Sequence, residues 1–156
     1  MSTFQFEQCV RKEWVDYNGH MNDAEYAKVF SLAVDHFIEQ IGLDVEGRES
    51  LQYTIFTLET HVCYLKEAHE AEKLTITNQL LDLDEKRIHL FFTMKNEHGE
   101  VISTSEQMLM GIDTNAGRPA PFPEGVASVL DKLYSKDRDE EMPKQAGRTI
   151  GIKRKS

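Results

Sequence analysis

The stretch from Asp16 to Gly42, DYNGHMNDAEYAKVFSLAVDHFIEQIG, passes from loop chemistry into a helix and sets the plan of the chain. Asn18-Gly19 is turn chemistry, since both residues tolerate positive φ. Beyond it, Phe30, Val34, Phe37, Ile38 and Ile41 recur at three- and four-residue steps, which places them on one helical face. Asn22 stands where it can cap this helix, and Glu25 follows at the spacing of a capping box. Gly42 falls where a C-terminal glycine stops a helix. A long helix with one apolar stripe requires a concave apolar surface to cover it.

The flanking sequence supplies that surface. Upstream, Phe4-Gln5-Phe6-Glu7-Gln8-Cys9-Val10 alternates as a short strand does. Downstream, residues 44–52 read as a loop. Residues 54–66 then alternate, with Phe56, Leu58, Thr60, Val62 and Tyr64 on one face and Thr57, Glu59, His61 and Cys63 on the other. Strands are expected at 73–83, 87–96 and 101–113, joined by turns at Asp84-Glu85-Lys86 and Glu97-His98-Gly99 short enough for antiparallel hairpins. Pro123 opens a second amphipathic segment carrying Val126, Val129, Leu130, Leu133 and Tyr134. The pattern predicts an α+β domain over residues 1–135, a sheet of about five strands around one long helix. The charged, apolar-poor residues 136–156 read as a flexible tail. Edge strands of such a sheet invite pairing with a second copy.

With 156 residues, 40% hydrophobic and 29% charged, the composition suits a single soluble domain. No run approaches the ~20 apolar residues of a membrane span. Met1 to Glu7 lacks a basic start followed by an apolar run, so no secretory signal is expected. Cys9 and Cys63 match no metal spacing and are expected to be reduced thiols in a cytoplasmic protein. The net charge of −9 opposes duplex nucleic-acid binding, which needs a broad basic surface. A single nucleotide head needs only a few local cations.

Asp16, Gly19, His20, Asn22 and Tyr26 occur in the order Asp-x-x-Gly-His-x-Asn with a Tyr four residues on. This pattern resembles the hot-dog-fold thioesterases of the 4-hydroxybenzoyl-CoA type. Tyr64-Leu65-Lys66 resembles that family's aromatic-leucine-basic strand end, and Lys86-Arg87 its basic hairpin start. The likeness covers about Val10 to Asp113. It departs at Ala71-Glu72, where the family often has Gly-Asp. Within the family, Trp14 to Asn22, Phe56 to His61, Lys86 to Phe91 and Ala120-Pro121-Phe122-Pro123 look most like betainyl-CoA thioesterases and the thioesterase domain fused to some carnitine dehydrogenases. The resemblance implies hydrolysis of an acyl-CoA in carnitine and betaine metabolism. It implies a homodimer or dimer of dimers, and no cofactor beyond the CoA carried by the substrate.

The residues suit that chemistry. Thioester hydrolysis needs a base or nucleophile and donors for an oxyanion. Asp16 precedes a helix whose free N–H groups and dipole stabilise negative charge, so it is the candidate base or nucleophile. Backbone N–H groups around Gly19 to Asn22 are the candidate donors, with His20 and Asn22 orienting the loop or substrate. Trp14, Tyr17, Phe56 and Tyr64 are candidates for a cation–π cage around a trimethylammonium head, or are simply core. Asn18 and Tyr26 are further substrate-contact candidates. Glu59 is either an acyl-pocket carboxylate or an exposed or structurally paired one. Lys66, Lys86, Arg87 and Arg118 are candidates for CoA phosphates.

Other chemistries fit less well. An EF-hand counted from Asp16 would need Glu at the position of Ala27. The six histidines show no metal-ligand spacing, so no metal is expected. There is no Gly-x-Ser-x-Gly elbow. The alternatives on the same fold are a non-catalytic acyl-thioester-binding module, a dehydratase and an acyl-carrier-protein thioesterase.

Overall fold

The computed structural model describes residues 5–155. Phe4, expected in the first strand, lies outside the described residues. Strand β1 (Gln5–Cys9) leads through a 3₁₀ turn (Lys12–Trp14) to helices α1 (Asp23–Gln40) and α2 (Val45–Leu51). Strands β2 (Tyr53–Tyr64), β3 (Lys73–Leu83), β4 (Arg87–Lys95) and β5 (Val101–Asp113) follow, then the two-residue β6 (Arg118–Pro119) and helix α3 (Glu124–Asp137). All pairings are antiparallel in the order β1-β3-β4-β5-β2, with β6 added to β5. This is the hot-dog plan, a curled sheet holding one long helix.

Helix α1 buries Tyr26, Val29, Phe30, Ala33, Val34, Phe37 and Ile38, and the Phe30 and Phe92 rings meet at 6.2 Å. Its C-terminus closes as expected at Gly42, whose φ is 102°. Gly42 N–H donates to Glu39 O and Leu43 N–H to Ile38 O, the paired bonds of a Schellman motif. Its N-terminus differs from expectation. The Asn22 side chain makes no cap hydrogen bond, and Glu25 Oε2 is buried without a partner. The capping box fails because the Asn22 N–H that Glu25 would bind already donates to Trp14 O, at 2.9 Å.

Two further expectations are corrected. Residues 44–52 hold α2 rather than a loop, with the Asp44 side chain accepting from Gly47 N–H at 2.8 Å. No residue of α2 is buried, so hydrophobic periodicity carries no trace of it. In β2, the register against β5 slips between Thr57 and Glu59, leaving Leu58 as an extra residue. The bulge exchanges the faces. Thr57, Thr60, Val62 and Tyr64 face α1, while Phe56 pairs with Met110 and shares the outer face with Glu59, His61 and Cys63.

The C-terminal boundary also moves, since α3 runs through residue 135 to Asp137. Asp137 is 6% exposed and accepts the Leu80 N–H freed by a bulge in β3, at 2.9 Å. Beyond it the chain returns to the sheet's outer face. Glu141 O accepts from Gln79 Nε2, and Gly147 N–H donates to Glu106 Oε1. Gln79, Phe91, Glu106 and His61 form one cross-strand row, and Phe91 within it is 1% exposed. Among the described residues no helix is long and apolar enough to cross a membrane.

Burial raises the Asp137 carboxyl above its ordinary value, against the lowering effect of the Leu80 N–H. The ionised side chain therefore costs stability above the folded pKa, and that cost vanishes as pH falls below the ordinary carboxylate range. Asp137→Ala strands the Leu80 N–H and is expected to lose about 1–3 kcal/mol in urea unfolding. Asp137→Asn keeps an acceptor and should match or exceed the wild type at neutral pH, with the difference shrinking in acid.

Candidate active site

The loop before α1 is a small closed structure. Val15 and Met21 form an antiparallel bridge, and Asp16 N–H donates to His20 O at 2.9 Å. Gly19, at φ 78°, returns its N–H to Asp16 O at 3.0 Å. The Asp16 carboxylate closes the loop, because Oδ1 accepts from Asn18 N–H at 2.8 Å and His20 N–H at 3.2 Å. Among the described residues Oδ2 makes no hydrogen bond. One carboxylate oxygen thus fixes the group, and the other is left for a substrate or a water.

The expected oxyanion donors are not free. Gly19 N–H serves Asp16 O, His20 N–H serves Asp16 Oδ1, Met21 N–H serves Ala68 O and Asn22 N–H serves Trp14 O. All four hold the loop to itself and to the crossover after β2. The helix donors begin one residue later. Ala24 N–H is occupied only by the exposed Asp23 side chain, at 2.9 Å, and Asp23 N–H opens the helix beside it.

A cavity of about 310 Å³ lies against this end of α1, lined by Met21, Asp23, Tyr26, Tyr64, Leu65, Lys66 and Glu67. Asp16, five residues before Met21 in the chain, is not among the lining residues. The Tyr26 and Tyr64 rings stand perpendicular, with centroids 5.3 Å apart. Tyr26 is a structural anchor: its hydroxyl accepts from Ala68 N–H at 2.9 Å and donates to Lys66 O. Tyr64 donates to Asp23 O at 3.1 Å. Burial raises both phenols, so both remain neutral hydrogen-bonding groups. Lys66 is paired with Glu100, whose carboxyl that ammonium holds below its ordinary value.

His20 is half-buried, with Nε2 3.2 Å from Glu67 Oε2, and its ring meets that of His69 edge-on at 5.1 Å. A backbone bridge between His20 and His69 sets this contact. Glu67 and His69 carry no signal of their own in the sequence, because the crossover brings them to His20 from a distant segment.

Other candidates are dispersed. Trp14 is buried, with Arg11 and Lys28 over its ring at 5.2 and 5.7 Å, so substrate has no access to it. Tyr17 is 97% exposed. Phe56 lies on the outer face through the Leu58 bulge, so these residues and Tyr64 form no cage within one protomer. Glu59 lines a different, outer-face cavity with His61, His89, Glu106 and Arg148. Lys86 and Arg87 flank the β3–β4 turn, where the Arg87 guanidinium grips Asp84 at 2.6 and 2.7 Å. Desolvation of the Asp84 carboxyl is outweighed by the Lys86 and Arg87 N–H groups and that guanidinium, which together hold it below its ordinary value. This turn is at the opposite end of the sheet from Asp16, separated by the nine residues of β4 or about 30 Å. Arg118, in β6 beside Asp113, shares that distant end.

A family model described as thioesterase-like superfamily matches residues 10–130. A betainyl-CoA thioesterase of Pseudomonas aeruginosa is 38% identical over 148 residues, covering 94% of this chain and 93% of the relative. An L-carnitine dehydrogenase/betainyl-CoA thioesterase of Agrobacterium fabrum is 37% identical over 144 residues, which cover 92% of this chain and 29% of that longer protein. A Staphylococcus aureus protein solved in complex with CoA superposes with a TM-score of 0.91 at 39% identity, covering 96% of this chain and 95% of its own.

The anchoring role of Tyr26 is directly testable. Tyr26→Phe leaves the buried Ala68 N–H without its acceptor and is expected to cost about 1–3 kcal/mol in urea unfolding. An unchanged midpoint would mean that the crossover is held in some other way.

Proposed function

The chain belongs to the thioesterase-like superfamily and is an acyl-CoA thioesterase, and on that premise we propose that its acyl group is a small cationic one such as betainyl. We propose also that Asp16 is the group that activates water or attacks the thioester carbonyl. The observation that carries this is the Asp16 carboxylate, pinned by two N–H groups through Oδ1 with Oδ2 unbonded, just ahead of the N-terminus of a buried helix.

The free Oδ2 can remove a proton from water or form an acyl-enzyme bond, and the thiolate of CoA departs in either route. Negative charge developing on the carbonyl oxygen would be met by Asp23 N–H, by Ala24 N–H once the Asp23 side chain turns away, and by the helix dipole. The cavity suits a cationic head. Its walls carry the Asp23 and Glu67 carboxylates, while its one ammonium, Lys66, is bound to Glu100. The Tyr64 face adds a cation–π surface. The 38% identity with a betainyl-CoA thioesterase supports the same choice.

A second copy completes the site in this reading. Strand β2 is the long edge of the sheet, with Phe56, Leu58 and Tyr64 about half exposed along it. Antiparallel pairing of two β2 strands about a two-fold axis continues the sheet and reverses its direction. The Lys86–Arg87 turn of one protomer then comes to the end of the sheet where its partner's Asp16 lies, adding cations for CoA phosphates to Lys66, which Glu100 already engages.

Two measurements test these statements. Thiol release from a panel of acyl-CoA esters should be fastest with the cationic betainyl group. Asp16→Asn keeps the Oδ1 acceptor and should lower kcat by about 10²- to 10⁴-fold, the range of a positioned acid–base group. Wild-type rates in that variant would remove Asp16 from the chemistry. Secondly, mixing Asp16→Asn with a Lys86→Ala/Arg87→Ala variant should restore activity toward about a quarter of wild type, because each mixed dimer holds one intact site. No recovery after confirmed subunit exchange would place both groups in the same protomer's site or take the turn out of it.

A further inference from the structure

We infer that His20, Glu67 and His69 form a binding site for a divalent transition cation, which clamps the Asp16 loop to the crossover after β2. The three residues each offer one ligand atom, and these atoms lie within 4.8 Å of one another. The tightest pair, His20 Nε2 and Glu67 Oε2, is 3.2 Å apart, a separation that ligands on one tetrahedral ion adopt when each bond is about 2.0–2.2 Å. The His69 ligand atom stands within 4.8 Å of the other two, and its side chain is 63% exposed.

The backbone prepares this geometry. The His20–His69 bridge sets the two imidazoles side by side, and Met21 N–H to Ala68 O, at 2.9 Å, fixes the strand-like register around it. Glu67 and His69 are alternate residues of the extended crossover, so both can point toward His20. A carboxylate stands nearby, beyond hydrogen-bonding distance of the His69 ring. Glu72 Oε1 stands 3.8 Å from His69 Nδ1 and accepts the His69 backbone N–H at 3.1 Å. A carboxylate on one ring nitrogen orients a ligating imidazole and leaves the other nitrogen for the metal.

Two imidazoles and one carboxylate suit zinc, cobalt(II) or nickel(II), and are too few and too nitrogen-rich for calcium or magnesium. Three protein ligands leave at least one position to water, so the site is open. Glu67 also lines the acyl cavity, so a bound dication and a cationic acyl head would compete for its carboxylate, and metal binding is therefore measured without substrate.

Cobalt(II) titration of the intact, chelator-treated protein tests it, read by visible ligand-field absorption and by the melting temperature. The wild type should bind one ion with the absorption of a low-coordinate site and melt higher in its presence. His69→Ala and Glu67→Gln change exposed side chains and should fold normally by circular dichroism. Each should weaken binding by more than about 100-fold, since loss of even an outer-shell partner costs roughly 10- to 100-fold. Glu72→Gln should fall within that outer-shell range. A wild type that binds no cobalt at millimolar concentration would overturn the site, as would binding and thermal stabilisation that persist in both ligand variants.

Discussion

The burial of α1 against the curled sheet is the constraint on which the remaining structure depends. Phe30 and Phe37 are each 1% exposed, and they pack on a sheet face whose Leu90, Phe92 and Met94 are equally inaccessible. Such a helix has its axis fixed by packing, so its N-terminus is presented at one chosen place at one end of the sheet. The loop from Val15 to Met21 is then built on that end, and its internal bonds have a rigid base.

Hydrogen-bond accounting at that end divides the work among the residues. The N–H groups from Gly19 to Asn22 are consumed in holding the loop, and the Asp16 carboxylate is fixed through one oxygen by the Asn18 and His20 N–H groups. Tyr26, the first large residue of the helix to point inward, spends its hydroxyl on the crossover. That crossover delivers Glu67 and His69 beside His20. Position, charge and potential ligands at the helix terminus therefore come from two segments distant in sequence and joined by a handful of backbone bonds.

The opposite end of the sheet has a different character. Lys86, Arg87 and Asp84 form a tight polar turn about 30 Å from Asp16. The outer face between the two ends is crossed by the C-terminal segment, which ties Glu141 to Gln79 and Gly147 to Glu106. A charged, apolar-poor segment reads as a tail in sequence because it has no core of its own. Here it uses backbone groups to satisfy polar side chains that the sheet already presents.

The α1 helix, its Gly42 stop, the hairpins and the Asp16-to-Tyr26 motif were legible in the sequence, because local periodicity and turn chemistry act over a few residues. What needed three dimensions was of another kind. Leu58 as a bulge reverses the facing of the β2 residues before it, since strand alternation has period two and one extra residue inverts it. The failed capping box follows from Trp14 O reaching the Asn22 N–H, and the pairing of His20 with Glu67 and His69 follows from a bridge across the fold. Sequence specifies which groups are available and the local path of the chain. Which donors are already taken, and which distant side chains meet, is decided only when the long-range backbone bonds close.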